Sequence, residues 1–407
     1  MTSKRVIKLH KMAQKHRGDS DDLLIMKQIA DVEHLLDRDR NPRKNLHLDT
    51  TKLSLHRDRV EALKRGERIA PVTIDMALTQ KCSASCTFCY AGLQQLEAEP
   101  VEWSVYEKFL LDCAEVGVKA ISLVSDGEST ENPHYVDFIV KAKALGIDIA
   151  LGTNGYRLKD FDLVIPSLTY LRINFNAANP ERNASIMGTS VRFHEQVVAN
   201  IRKAVRVKKM TGSKCTIGLQ MVLLPSYADE VIPLALLGRE LGVDYLVIKH
   251  CSDDEEGRLG VDYQWYRSNI AEQLFRAAEA LSTDTYSVQA KWSKFRTGNQ
   301  RTYSKCYGTP LHLQMSGTGV VAPCGSFFNA RYADKHIGDI KTTRFKDILA
   351  SDRYWEIMGV LKSDGFDPRT DCAQLCLQDR SNVALFDYFE RGVPLPAAAA
   401  NGHRNFL

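Results

Sequence analysis

No stretch of the 407-residue sequence reaches the roughly 18 uninterrupted apolar residues that a membrane-spanning helix needs. Its start, Met1-Thr2-Ser3-Lys4-Arg5-Val6-Ile7-Lys8, lacks the apolar core of a secretory signal. The expectation is a cytoplasmic protein with no membrane partner. Compositional bias is also absent: 44% hydrophobic and 26% charged residues lie near the globular average, which excludes a disordered or collagen-like chain. Net charge is small. Residues 1–69 hold 17 Lys+Arg against 11 Asp+Glu, leaving 37 against 39 for the rest, so the surplus of +4 belongs to the leading segment. That segment has no aromatic residue and carries many acids, and reads as a solvated helical face rather than a nucleic-acid surface. What the chain does have is cysteine, ten in all. A reducing compartment disfavours a disulfide framework, so their spacing is read for metal binding or catalysis.

The length implies two or three domains. Residues 1–69 read as an N-terminal helical segment. Asp19 or Ser20 can cap a helix carrying Ile25, Ile29, Val32 and Leu36 at helical spacing, with Pro42 beyond its end, and a second helix spans about 55–65. Residues 70–285 alternate short apolar runs with amphipathic stretches. Six strands are predicted at 72–78, 120–125, 148–153, 170–176, 216–223 and 244–250. Helices are predicted at 105–116, 135–144, 193–210, 227–241 and 263–281. Repeated strand-then-helix units predict a parallel sheet with helical crossovers, here an α/β fold of the partial (β/α)6 TIM-like barrel type. Residues 286–393 form a small C-terminal α+β auxiliary domain with a hairpin about Ser316-Gly317-Thr318-Gly319, and 394–407 a flexible tail.

The strongest signal is Cys82-Ser83-Ala84-Ser85-Cys86-Thr87-Phe88-Cys89, directly after the first strand. Three thiolates on one short loop can converge on three corners of an iron–sulfur cube. The fourth iron then keeps an open coordination position, which is where a metal centre does chemistry. The alternative is a zinc site completed by His250 or Cys251, although zinc motifs more often pair two close doublets.

This triplet, with an aromatic residue, Phe88, just before its third cysteine, resembles the signature of the radical S-adenosylmethionine (SAM) superfamily. Further stretches follow in the family's order. Ser125-Asp126-Gly127-Glu128 is similar to its Gly-Gly-Glu segment, with Asp126 in place of the first glycine, and Thr153-Asn154-Gly155 to its Thr-Asn-Gly turn. Arg172-Ile173-Asn174-Phe175-Asn176, Gln220, and Val247-Ile248-Lys249-His250 fall where that family holds the rest of SAM. The resemblance implies that Cys82, Cys86 and Cys89 bind a [4Fe-4S] cluster with an open iron. It implies that Phe88, Asp126, Gly127, Glu128, Asn154, Arg172, Asn174, Asn176, Gln220 and His250 contact SAM. It also implies that reductive cleavage of SAM yields a 5′-deoxyadenosyl radical that abstracts hydrogen from a C–H bond. Independently, Glu128, Asn154, Asn174, Asn176 and His250 lie at C-terminal strand ends, where parallel barrels place their active sites.

Cys306, Cys324, Cys372 and Cys376 suffice to close a second cubane. With Gly319 they resemble the SPASM/twitch extension of radical SAM enzymes, which implies one auxiliary [4Fe-4S] cluster that takes or relays an electron; a structural zinc clamp is the alternative. Of the other cysteines, Cys113 and Cys215 read as buried apolar residues. Cys251 follows the sixth strand and could donate hydrogen to a substrate radical. The acidic run 253–256 could hold an amine, or be an ordinary loop. The expected function is a radical SAM oxidoreductase or epimerase acting on a small polar metabolite, a sugar, amino sugar or aminocyclitol, with a reductant such as flavodoxin or ferredoxin. Alternatives are a maturase of a ribosomally made peptide, a nucleic-acid modifier favoured only by the basic segment, and a non-catalytic zinc or iron–sulfur scaffold.

Overall fold

A computed structural model describes residues 19–33, residues 52–397 except Gln95, Glu97, Glu255, Asn299 and Leu375, and residues 403–407. Leu36 and Pro42 of the leading segment lie outside the described residues. The strands are β1 (Thr73–Met76), β2 (Ala120–Leu123), β3 (Asp148–Thr153), β4 (Tyr170–Asn174), β5 (Thr216–Leu223), β6 (Tyr245–His250), β7 (Ser287–Ala290), β8 (His312–Met315), β9 (Val320–Ala322) and β10 (Gly338–Asp339). They form one sheet in the order β10-β9-β8-β1-β2-β3-β4-β5-β6-β7. From β8 to β7 every pairing is parallel; β9 and β10 add antiparallel edges. The sheet curves as a partial barrel that does not close, because β7 and β8 do not pair.

The strand–helix rhythm reads correctly because most of the central strands are short, mainly apolar runs with few exposed residues. All four residues of β2 and the last seven of β5 are buried. Each crossover helix then turns one apolar stripe inward, as Val197, Ile201, Ala204 and Val205 do in the helix Val191–Thr211. Two features depart from expectation. A seventh parallel strand, β7, extends the barrel beyond the six units. The hairpin strand β8 pairs in parallel with β1, so the C-terminal region continues the barrel sheet instead of building a sheet of its own.

The segment 394–407 was expected to be a flexible tail, yet residues 403–407 are docked. Phe406 and His403 are buried against Tyr170. Asn405 Nδ2 donates to Asp148 Oδ2 at 2.8 Å and its carbonyl accepts from Thr73 Oγ1 at 2.7 Å, while His403 Nε2 lies 3.0 Å from Thr216 Oγ1. Thr73, Asp148 and Thr216 begin their strands, so this segment caps the N-terminal end of the barrel. Lys52 secures it by donating to the carbonyls of His403 and Phe406 at 2.9 and 2.6 Å. The helix Asp19–Val32 buries Ile25, Ile29 and Val32, and Gln28 Nε2 reaches the Asp229 carbonyl at 2.9 Å. Among the described residues no helix is long and apolar enough to cross a membrane.

Candidate functional site

The loop after β1 carries Cys82, Cys86 and Cys89 to the C-terminal end of the barrel. Ser85 and Thr87 donate their backbone N–H groups to the carbonyls of Met187 and Ile186, both at 2.9 Å, which pins the loop on the helix Pro180–Met187. That helix ends at Gly188 with φ of 61°; a Cβ there would lie 2.3 Å from the Ser85 carbonyl oxygen, so the close approach requires glycine. Asn154 Nδ2 stands 3.9 Å from Cys82 Sγ and 3.1 Å from Ser83 Oγ. Burial pushes the Cys82 thiol up to about 12, and the Glu128 carboxylate and Cys89 add to it. Cys86 is likewise pushed up by burial and then by Cys89 and Cys82. Three sulfurs that repel one another's charge form a donor set that a cationic metal centre would relieve, and their chemistry fits an iron–sulfur cluster.

Two glycines clamp this loop. A Cβ on Gly127 would lie 1.9 Å from the Thr79 carbonyl oxygen, and one on Gly317 would lie 2.4 Å from the Thr79 carbonyl carbon. Thr79–Gln80 therefore passes between the turn after β2 and the turn of the β8–β9 hairpin. Asp126 ties the three segments together: its carboxylate accepts from Gln80 Nε2 at 2.6 Å, Ser316 Oγ at 2.5 Å and the Gly317 N–H at 2.9 Å. Burial raises its pKa, and those same bonds oppose the rise. Asp126 thus joins the barrel to the hairpin. Glu128, also raised by burial, accepts from Thr130, from Thr153 Oγ1 at 2.8 Å and from the Asn154 N–H at 2.6 Å, which fixes the turn after β2 against the turn after β3.

Inside the barrel lies a cavity of about 380 Å³. Phe88, Cys89, Asp126, Arg172, Asn174 and Gln220 of the sequence-derived set line it. Gln220 Nε2 donates to Asn174 Oδ1 at 2.7 Å, which orients both amides. Gly127, Glu128 and Asn154 sit in the turns beside it. Asn176 lies elsewhere: fully buried, it accepts from the Val222 N–H at 2.8 Å and serves the fold. His250 also faces away, 1% exposed in a cage of Tyr263, Tyr266 and Phe295, with both ring nitrogens unpartnered and its pKa pushed down to about 3 by burial. Strand alternation explains this: if His250 points to the helices, its neighbour Lys249 points into the cavity. Lys249, with Lys291 and Lys294 after β7, is the functional candidate that the sequence reading missed; a lysine inside an otherwise apolar strand was its signal.

Cys251 is fully buried, with Sγ 3.5 Å from the Phe88 carbonyl, so its thiol sits in the wall behind Phe88 while Ser252 lines the cavity. Nor does the acidic run 253–256 hold a free carboxylate for an amine in Asp253 or Asp254. Asp253 accepts from the N–H groups of Asp254, Leu259, Gly260 and Val261, and Asp254 pairs with Arg258.

Cys306, Cys324, Cys372 and Cys376 come together beyond the hairpin. Burial pushes Cys306 up to about 12, with Cys376 adding to it; Cys324 is raised by burial and then by Cys376, and Cys372 by burial and then by Cys324 and Cys376. Thr309 Oγ1 stands 3.3 Å from Cys306 Sγ, and Asn382 Nδ2 is 3.6 Å from Cys376 Sγ. Arg301 holds the loop by donating to the carbonyls of Pro368 and Ala373. None of the ten cysteines is joined in a disulfide. Both groups reach the cavity: Cys89 and Tyr90 line it from the first, and Gly325, Leu377 and Gln378, neighbours of Cys324 and Cys376, from the second.

Residues 76–232 match the family model described as the Radical SAM superfamily. A probable GTP 3′,8-cyclase of Thermococcus kodakarensis (strain ATCC BAA-918 / JCM 12380 / KOD1) is 28% identical over 140 residues, 33% of this chain and 45% of that protein, so the chain spans under half the length of this curated relative. The crystal structure of Streptococcus suis SuiB bound to S-adenosylmethionine superposes with a TM-score of 0.56 at 15% identity, over 75% of this chain and 72% of that one. SuiB bound to its precursor peptide SuiA gives 0.55 at 15% identity, over 81% and 77%. At these identities the likeness is one of fold.

Proposed function

With a radical SAM domain over residues 76–232 as the premise, we propose that this protein is a radical SAM enzyme that oxidises or epimerises a small polar metabolite at a C–H bond. The observation that carries the reading is a cavity lined both by the three-cysteine loop, through Cys89, and by the neighbours of the four-cysteine group. Cys82, Cys86 and Cys89 would hold a [4Fe-4S] cluster, and Cys306, Cys324, Cys372 and Cys376 a second, fully ligated one. When bound, the first cluster and SAM supply a 5′-deoxyadenosyl radical.

The chain's own residues position and shield. Glu128 and Asp126 lock the turns after β2 and β3 against the cysteine loop, and Asn174 and Gln220 present paired amides to a polar ligand. Phe88, Tyr90 and Phe328 wall the cavity against water, which protects a reactive substrate. A cluster on the second cysteine group, whose neighbours Gly325 and Gln378 line the cavity, would accept an electron from the substrate radical, and this supports oxidation. Epimerisation needs a hydrogen donor, and Cys251 faces away from the cavity.

Anaerobic turnover with SAM, a reductant and candidate metabolites tests the proposal. 5′-Deoxyadenosine formation that depends on the metabolite and disappears in Cys82→Ala supports it; the same yield from Cys82→Ala refutes it.

A further inference from the structure

Resting on the radical SAM reading above, we propose that Lys249, Lys291 and Lys294 form an anion-binding subsite in the cavity, so that the substrate carries a phosphate or a carboxylate. The three lysines line the cavity where β6 and β7 end, on the opposite side of the sheet from the turns after β2 and β3 that carry Glu128 and Asn154. Arg172 lies below them with its Nε buried and unpartnered, and Arg380 of the helix Asp379–Glu390 closes the rim.

Five Lys and Arg side chains, Arg172, Lys249, Lys291, Lys294 and Arg380, line the cavity against three Asp side chains, of which Asp379 already lies in the field of Lys294 and Arg380. Asp126 accepts from Gln80, Ser316 and Gly317, Asp75 faces His312 Nε2 at 2.9 Å, and Asp379 accepts from the Tyr303 hydroxyl at 3.2 Å. Burial and then the charges of Arg172, Lys294 and Lys291 bring Lys249 down to about 7. Like charges gathered in a low-dielectric space repel one another, and an incoming anion relieves that repulsion. The same field repels an ammonium group, which argues against an amino sugar or aminocyclitol and for a phosphorylated or carboxylated metabolite. Each ammonium carries three donors, enough to satisfy several oxygens of either anion.

The test is calorimetric titration of anaerobic, cluster-loaded, SAM-bound protein with four sugars of nearly one shape: glucose 6-phosphate, glucuronate, glucose and glucosamine. At least one anion is expected to bind tenfold or more tightly than glucose, with glucosamine weakest; which anion wins separates phosphate from carboxylate. Lys294→Gln and Lys291→Gln are each expected to weaken the preferred anion about tenfold, and Lys294→Arg to restore it, while SAM affinity changes less than twofold. Glucosamine binding as tightly as either anion, no measurable binding of both anions, or unchanged anion affinity in both glutamine variants would overturn the proposal. A loss of SAM affinity matching the loss of anion affinity would overturn it too, by assigning the lysines to the SAM carboxylate. Reductive SAM cleavage is followed in the same preparations: its absence refutes the radical reading and leaves the measured anion affinity to stand or fall separately.

Discussion

Replacing Gly317 with alanine drives a methyl group into the backbone of the first cysteine loop. The new Cβ would lie 2.4 Å from the Thr79 carbonyl carbon and 2.7 Å from the Gln80 nitrogen, whereas ordinary contacts begin at 3.4 Å. The loop must therefore move by about 1 Å, the shortfall between 2.4 and 3.4 Å. It cannot retreat, because Gly127 already leaves no room for a Cβ on the other side, and Gln80 is only two residues from Cys82. Overpacking of this kind costs about 1–3 kcal/mol, and a misplacement of about 1 Å at a reacting centre can cost on the order of 100-fold in rate. Iron content, thermal midpoint and 5′-deoxyadenosine formation are the measurements. Gly317→Ala is expected to lose iron from the three-cysteine site and most of its 5′-deoxyadenosine yield. Gly359→Ala is the control: it lies in the helix Asp352–Leu361 with nothing within 4 Å of its Cβ, and is expected to stabilise by up to about 1 kcal/mol. Full iron and a full rate in Gly317→Ala would refute the clamp.

Arg344 pairs in bidentate fashion with the fully buried Asp112, joining the helix Trp103–Val116 to the auxiliary region. Arg344→Met should lower stability in urea unfolding by leaving the buried Asp112 carboxylate without its guanidinium; an unchanged unfolding midpoint would contradict the pairing. Cys324→Ala should remove about four irons per chain and abolish product, and undiminished iron would show that the four cysteines do not share a site. Acid should destabilise the fold through two histidines held neutral by burial, His403 brought down to about 4 and His250 to about 3. Between those values and the ordinary 6.5 the unfolded chain binds protons that the folded chain refuses. Stability is therefore complete above pH 6.5 and falls as pH drops, by up to about 1.4 kcal/mol per unit for each histidine. His403→Phe should flatten the slope of unfolding free energy between pH 7 and 5; an unchanged slope would sink this assignment.

The strands β3 and β5 were legible to the residue, because Asp148–Thr153 and Thr216–Leu223 are mainly apolar runs that follow turn residues at Gly146 and at Gly212-Ser213. β7 was not, since Ser287–Ala290 is four residues long and half polar, with no pattern of its own; its pairing with β6 creates it. The helix Pro180–Met187 was also passed over, although Asn179 capping the N–H of Arg182 and Pro180 at the first turn mark its start. For the site, spacing alone grouped the cysteines, but direction was harder to read. The resemblance marked the stretch 247–250 and His250 within it, but only strand register decides which of two neighbours faces inward. The docking of residues 403–407 rests on contacts with strands more than 180 residues away, which no local pattern reveals.

The central claim is tested most directly by anaerobic iron analysis of the purified protein coupled to SAM cleavage by a strong reductant. The account expects a brown protein with about eight irons per chain that forms 5′-deoxyadenosine, with both properties lowered in Cys82→Ala. A colourless zinc protein, or an iron-loaded one that leaves SAM intact, would contradict it.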